Sequence, residues 1–244
     1  MTIRHLVATE STQEEMKRWL ETGPVSHLDA ILADVQTSGR GRHGRDWIAP
    51  AGNLSASIFL RDVSIPLTWI PLWVGISLVK AIGKEGLRLK WPNDLVTASG
   101  GKLGGILCEK IETGVVAGVG LNLKTAPGIE GRRCASLQDL HDFGGFSGEL
   151  PTAHDLLGTL IGELSRTANV STLREEFAQV SLFPEGHSVF WKDSRSGAQC
   201  EGRISGLGIH GELCVRLQDG KLQQLFSEEI VGLREKIAST PDQE

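Results

Sequence analysis

Apolar residues recur along the chain in two rhythms, and the alternation between them divides it into elements. Trp69, Leu72, Trp73, Ile76, Val79, Ala81 and Ile82 fall at helical spacing, so residues 67–83 are predicted to form a helix whose tryptophans face a core. Residues 11–20 form a shorter helix, opened by Ser11 or Thr12 as cap with Glu14 and Glu15 in its first turn. Residues 152–168 and 171–182 make two more. Strand-like runs occupy 3–8, 28–35, 54–60, 87–91, 102–111 and 115–123, the last two joined by the tight turn Glu112, Thr113, Gly114. Between Lys124 and Pro151 the rhythm gives way to Gly, Pro and Arg, a length of loop that a compact domain tolerates where it is functional or mobile. From Pro184 the pattern changes again: 188–192, 199–205, 212–217 and 221–226 are short strands between Gly or Ser-Gly turns, which predicts a small β-barrel.

With 244 residues, 40% hydrophobic and 23% charged, the chain has the balance of a soluble globular protein and is long enough for two cores of unequal size. The break at Pro184 sets expected domains of 1–183 and 184–236, with 237–244 as a tail. No apolar stretch approaches the ~20 residues that span a bilayer, so no membrane association is expected. The opening MTIRHLVATESTQEEM lacks the apolar core of a signal peptide and soon turns acidic, which points to the cytoplasm. Cys108, Cys134, Cys200 and Cys214 form no CxxC pair and read as buried, reduced thiols. A formal net charge of -5 argues against non-specific nucleic-acid binding, so clusters of positive charge must have a local purpose.

One such cluster is QTSGRGRHGRDW, Gln36 to Trp47, in which Gly39, Gly41 and Gly44 spell GxGxxG around Arg40, Arg42, His43 and Arg45. A dinucleotide fingerprint needs its third glycine to open a helix that holds the pyrophosphate, whereas this loop runs into Asp46, Trp47 and Pro50. The glycines still allow close approach of a ligand to the main chain. Guanidinium forks pair with carboxylate and phosphate, so the loop suits a small molecule that carries both. The alternative is a solvated basic loop; a nucleic-acid site is disfavoured because no aromatic stacking platform accompanies it.

The second cluster is LKWPNDLVTASGGKLGGILCE, residues 89–109. A strand ends at Pro92, Asn93 and Asp94 offer an amide and a carboxylate beside it, and Lys102 follows a Gly-Gly turn. Gly104 and Gly105 inside a strand weaken it, which calls for a ligand lying against the strand or for a β-bulge. The run Gly118-Val119-Gly120-Leu121-Asn122 repeats the pattern, with Asn122 a candidate to project into the same pocket.

Taken in this order, the elements resemble the biotin protein ligases, the family that attaches biotin to carboxylase carrier domains. GRGRHGRDW resembles the family's biotin and adenylate loop, KWPND its most recognisable motif, GKLGGIL its lysine strand and GVGLNL its glycine-asparagine strand. Ser11-Thr12-Gln13 is similar to an early Ser-Thr-Asn segment with Gln for Asn, and Gln36 stands at the family's glutamine ahead of the arginine loop. The resemblance covers most of residues 5–125 and continues more loosely through the C-terminal strands. Three departures stand out. The chain begins directly at the catalytic domain, without the helix-turn-helix of the bifunctional members, so DNA binding is not expected. His43 stands where a third arginine is common, and Cys134 lies near a tryptophan that in some members stacks on the adenine. The spacing in EEIVGLREK leaves open whether Arg234 matches a C-terminal arginine of the family.

The resemblance implies an α+β fold: a mixed or antiparallel sheet with packed helices, similar to class II synthetases, followed by a small SH3-like barrel. It implies that biotin and ATP form biotinyl-5'-AMP and that a lysine of the biotin carboxyl carrier domain of a biotin-dependent carboxylase then takes the biotin. Lys102 and Arg42 are the implied catalytic cations. Ser11, Thr12, Gln13, Gln36 and Gly39 are expected around biotin, together with Arg40, Gly41, Arg42, Lys102, Gly105, Gly118 and Gly120. Arg42, Arg45, Trp47, Asn93, Asp94, Lys102 and Asn122 are expected around ATP and the adenylate. Magnesium is expected on the ATP phosphates, with Asp94 the candidate protein contact and no direct ligation otherwise. A monomer or a homodimer fits. A lipoate or octanoate transferase is the rival of the same architecture; a non-enzymatic anion-binding module is the rival of another class.

Overall fold

In a computed structural model that describes residues 1–142, 149–227 and 230–235, the strands of the first half assemble into one seven-stranded sheet. They are β1 (Ile3–Thr9), β2 (Ala30–Gln36), β3 (Leu54–Leu60), β4 (Leu87–Lys90), β5 (Asp94–Thr97), β6 (Lys102–Ile111) and β7 (Gly114–Leu121), in the order β1-β2-β3-β7-β6-β5-β4. β1 and β2 are parallel and the other neighbours antiparallel, so the sheet is mixed. Helix α1 (Thr12–Thr22) supplies the crossover that a parallel pair requires.

Met16 and Trp19 of α1 pack against Ile31, Phe59 and Val116 on one face of the sheet. Burying a side chain of that size stabilises by about 1.5 to 3 kcal/mol. Helix α2 (Ile70–Ile82) lies against Leu89 and Ile106; a Cβ at Gly75 would stand 3.1 Å from Leu89 Cδ2, so glycine lets this helix settle close to the sheet. The helix is shorter than its apolar rhythm predicts because Leu67–Trp69 form a 3-10 turn ahead of Pro71, and Gly83, at φ 62, closes the far end in the left-handed region.

Side chains alternate across a strand, and the register puts one set of residues on the face that carries α1. Ser57 pairs with Gly118 and Gly118 with Leu107; Ser55 pairs with Gly120 and Gly120 with Gly105. Gly105, Gly118 and Gly120 therefore leave a strip of this face without side chains.

Three elements were not legible in the sequence pattern. β5 is four residues long and pairs back on β4 (Lys90 with Asp94), too short for a rhythm of its own. Helix α3 (Leu137–Asp142) lies inside the segment expected to be loop; Ser136 and Asp139 cap it reciprocally, through Asp139 N to Ser136 Oγ at 3.1 Å and Ser136 N to Asp139 Oδ2 at 2.7 Å. The third is β12 (Ile230–Glu235), where Arg234 is exposed opposite Phe190. α4 (Ala153–Leu164) and α5 (Val170–Val180) occupy the predicted helical stretches, capped by Thr152 and Asn169.

The chain divides into two compact units, Met1–Leu182 and Phe183–Glu244. In the second, β8 (Ser188–Asp193), β9 (Gln199–Leu207), β10 (Leu213–Arg216), β11 (Leu222–Leu225) and β12 form an antiparallel sheet in the order β11-β10-β9-β8-β12 around Val189, Trp191, Ile204 and Val215. Among the described residues no pairing between β11 and β12 closes this sheet into the expected barrel. Residues 237–244, the expected tail, lie outside the described residues. All four cysteines are free, but only Cys214 is buried, which corrects the reading of all four as buried thiols.

Candidate active site

The N-terminus of α1 and the end of β2 meet in a corner of neutral polar groups backed by the Glu109 carboxylate. Parallel pairing carries β1 and β2 to Thr9 and Gln36, so Ser11, Thr12 and Gln13 emerge beside Gln36. Gln36 Oε1 accepts from Thr12 N at 2.9 Å and lies 3.2 Å from Thr12 Oγ1. Ser57 Oγ is 2.9 Å from Thr12 Oγ1 and 2.8 Å from Gln13 Oε1. Gln13 Nε2 donates to Glu109 Oε2 at 2.8 Å and faces the carbonyls of Leu107 and Val116 at 3.3 and 3.4 Å. Ser11, Thr12, Gln13 and Ser57 are all buried. Ser11 makes no side-chain capping bond to the helix it precedes. Behind the corner, Lys17 bridges Glu14 and Glu109; burial lowers its ammonium pKa, and the two carboxylates outweigh that and hold it above the usual value.

The glycine loop closes on itself beside this corner. Gly41 N donates to Arg45 O at 2.7 Å and Trp47 N to Gly39 O at 2.8 Å, with His43 and Gly44 turning the chain at φ 57 and 68. Gly39 is required by contact: a Cβ there would overlap the Gln36 amide and stand 2.5 Å from Trp47 O. The fold returns Trp47 to the sheet, where its indole lies on Gly120 so closely that any Cβ would overlap the ring. Trp47 Nε1 is buried there without a hydrogen-bond partner among the described residues. A buried donor in that condition is uncommon.

At the other end of the bare strip the site is charged. Lys102 Nζ pairs with Asp94 Oδ1 at 2.6 Å, each side chain 28% exposed, and lies 5.8 Å from the centre of the Trp47 ring. Arg42 Nη1 donates to Asn93 Oδ1 at 3.3 Å, and Asn93 is itself fixed by Nδ2 donating to Ile106 O at 2.8 Å. The segment before α3 pairs with the start of β6: Lys102 N donates to Arg133 O and Ala135 N to Lys102 O. Asn122, 1% exposed, ties the two together through Nδ2 to Ala135 O at 3.0 Å, while its Oδ1 has no partner among the described residues.

The structure thus gathers Ser11, Thr12, Gln36, Gly39 and Gly118 at one end, and Arg42, Trp47, Asn93, Asp94, Lys102, Gly105 and Gly120 at the other. Arg40 and Arg45 remain exposed on the loop. The amide of Gln13 hydrogen-bonds Ser57, Glu109 and the sheet. Sequence reasoning missed Ser57 and Glu109; the only signal was the small polar Ser55 and Ser57 alternating within a strand that is buried throughout.

The Biotin/lipoate A/B protein ligase family model matches residues 7–125, the span that holds the corner, the strip and the cationic end. The chain is 42% identical over 142 residues to Biotin--[acetyl-CoA-carboxylase] ligase of Mycobacterium tuberculosis, covering 54% of this chain and 53% of that protein. To the protein of the same name in Paracoccus denitrificans it is 36% identical over 135 residues, 50% of this chain and 55% of the other. The alignments therefore span about half the length of these curated relatives. Among solved structures, biotin protein ligase from Aquifex aeolicus in complex with biotin and ATP superposes with a TM-score of 0.79 and 25% identity, covering 96% of this chain and 99% of that one.

Proposed function

We propose that the chain is an ATP-dependent biotin ligase: it makes biotinyl-5'-AMP and transfers the biotin to a lysine of a biotin carboxyl carrier domain. The observation that carries the reading is the strip of Gly105, Gly118 and Gly120 running from a buried neutral corner to a pair of cations. With the Trp47 indole lifted from Gly120, such a strip fits a molecule with an uncharged polar head, an apolar body and a carboxylate at its far end. The names of the relatives, and the biotin and ATP held by the Aquifex protein, support the same reading.

Thr12 and Gln36 take the head, Trp47 covers the body, and Lys102 and Arg42 exchange Asp94 and Asn93 for the substrates' anions. A carboxylate oxygen of biotin attacks the α-phosphorus of ATP, and the bond to pyrophosphate breaks. Two anions must approach for this, and cations fixed beforehand stabilise the charge that develops. The carrier lysine's amine then attacks the acyl carbon, AMP leaves, and the amine loses a proton. No enzyme nucleophile takes part; positioning and exclusion of water protect the mixed anhydride. Among the described residues no three His, Cys, Asp or Glu side chains converge, so the donor set suits magnesium carried by the ATP phosphates, where it would neutralise charge, with Asp94 as the nearby carboxylate. Among the described residues no helix is long and apolar enough to cross a membrane, and we place the reaction in the cytoplasm.

Incubation with ATP, a carboxylase carrier domain and an equimolar mixture of biotin, lipoate and octanoate should yield a biotinylated carrier. Lipoate or octanoate on the carrier in place of biotin, or no acyl transfer at all, would overturn the reading.

A further inference from the structure

We infer that Asn53 is a positioning residue: its side chain ties the end of the glycine loop, which carries Arg42 and Trp47, to the segment that flanks Lys102, and so keeps the nucleotide side of the site in register with the biotin side. The inference rests on the function proposed above, which puts ATP between that loop and that segment. Asn53 acts through the main chain of its neighbours.

The clamp stands where two strands part. The loop that leaves β2 comes back to pair Ala49 with Gln36, turns through Pro50 and Gly52, and enters β3 at Leu54. Leu54 and Leu121 are the last pair of the β3–β7 ladder. Past that pair the Asn53 side chain takes the place of a strand. Its Oδ1 accepts from Lys124 N at 3.0 Å and from Thr125 N at 3.2 Å, and its Nδ2 donates to Thr125 O at 2.7 Å. An amide carries an acceptor and a donor in one plane, as a peptide does, and turning it over would set oxygen against carbonyl, so the three bonds fix its orientation. Asn53 is 3% exposed. Beside it a Cβ at Gly52 would stand 2.9 Å from Lys124 Cδ, so the lysine stem lies directly across the turn.

From Thr125 the chain runs out and returns to Lys102, where Lys102 N donates to Arg133 O at 2.8 Å and Ala135 N to Lys102 O at 2.9 Å. Asn122 and Leu123 hold the start of α3 through Leu137 N to Asn122 O and Gln138 N to Leu123 O, both 2.9 Å. Segment 124–136 is therefore anchored at its far end to the main chain of Lys102 and at its near end to Asn53. Remove the Asn53 amide, and Lys124 and Thr125 can shift against the glycine loop while β3 and β7 stay paired. A ligand held by the neutral corner and the strip is insensitive to that shift. One that reaches from Arg42 to Lys102 and its flanking segment is not, and ATP is that ligand.

The test uses the full chain with two variants. Asn53→Ala removes all three bonds; Thr125→Pro removes one N–H from Asn53 Oδ1 at an exposed position and leaves the buried amide in place. Calorimetry gives the Kd of biotin without ATP, and pyrophosphate release gives kcat and the ATP KM. With one to two neutral hydrogen bonds of positioning at stake, Asn53→Ala should raise the ATP KM about 5- to 20-fold, and Thr125→Pro about 2- to 5-fold. The biotin Kd and kcat should stay within about twofold, because the strip and Lys102 remain on their strands. A parent-like ATP KM in Asn53→Ala overturns the inference; where that variant fails to fold, a parent-like ATP KM in Thr125→Pro overturns it. Equal losses for biotin and ATP also overturn it, since a general loosening of the fold weakens both. A parent protein that releases no pyrophosphate with biotin and ATP overturns the proposed function, and the inference falls with it; a parent that turns over while the folded variants keep its ATP KM overturns the inference alone.

Discussion

At Thr12 and Gln36 the site is closed and neutral, its polar atoms pinned by Ser57, Gln13 and the sheet. At Lys102 and Arg42 it is partly open and charged, and the side chains that pair with these cations, Asp94 and Asn93, belong to the protein itself. The difference teaches how one slot can both discriminate and react. Buried neutral groups have few alternatives to a matching ligand, so a mismatch leaves them unsatisfied. Cations in a half-exposed position keep their hydration and can change partners, which is what a reaction that brings in and releases anions requires.

The sharpest way to break this contrast is Lys102→Ala. Loss of a preorganised group that meets charge in the transition state costs about 2.7 to 4 kcal/mol, ~10² to 10³ in rate, so pyrophosphate release should fall by that factor while biotin binding survives in part. Release near the parent rate would remove Lys102 from the chemistry. Gln36→Leu attacks the neutral end instead. It leaves Thr12 N buried without its acceptor, a loss of about 1 to 3 kcal/mol. The biotin KM should rise about 10- to 100-fold with a lowered melting temperature, while the ATP KM holds; an equal change in both constants would show that the two ends are not separable.

Arg42→Gly separates making the adenylate from keeping it. A hydrogen bond to a charged group contributes about 1.5 to 3 kcal/mol, so biotinyl-adenylate should leave ~10- to 100-fold faster. Stopped-flow tryptophan fluorescence measures the off-rate, and biotin appearing on albumin added as a bystander reports the escape. Neither effect would be seen if Arg42 does not hold the intermediate. The smallest change is expected for Asn93→Ala, which removes a long 3.3 Å bond to Arg42 and should raise the adenylate off-rate by no more than about tenfold. An effect larger than that of Arg42→Gly would mean that Asn93 touches the ligand directly.

The motifs made the charged end legible, because Arg42, Asn93, Asp94 and Lys102 lie in two short segments with recognisable neighbours. The neutral end was half legible. Thr12 and Gln36 carried the resemblance, but Ser57 and Glu109 reach the corner only through the pairing of β3, β7 and β6, which no local pattern encodes. The partners of Gln13 were hidden for the same reason: from sequence its amide has none in view, whereas in the fold it has four. The long helices and strands followed from periodicity. β5, α3 and β12 did not, since α3 holds fewer than two helical turns and the two strands only two or three alternations. The open order of the second sheet depends on which strands meet, and turn spacing says nothing of that.

The glycine strip has a consequence for inhibitor design. A compound that displaces the Trp47 indole from Gly120 and lies along Gly118 touches main chain, and main chain offers resistance few routes. Replacement there can only add atoms: at Gly120 they would overlap the Trp47 ring, and at Gly118 they would press on Gln13. A substitution that expels the drug from this strip would therefore crowd out the substrate as well, whereas contacts made to the exposed Arg40 and Arg45 could be lost one side chain at a time.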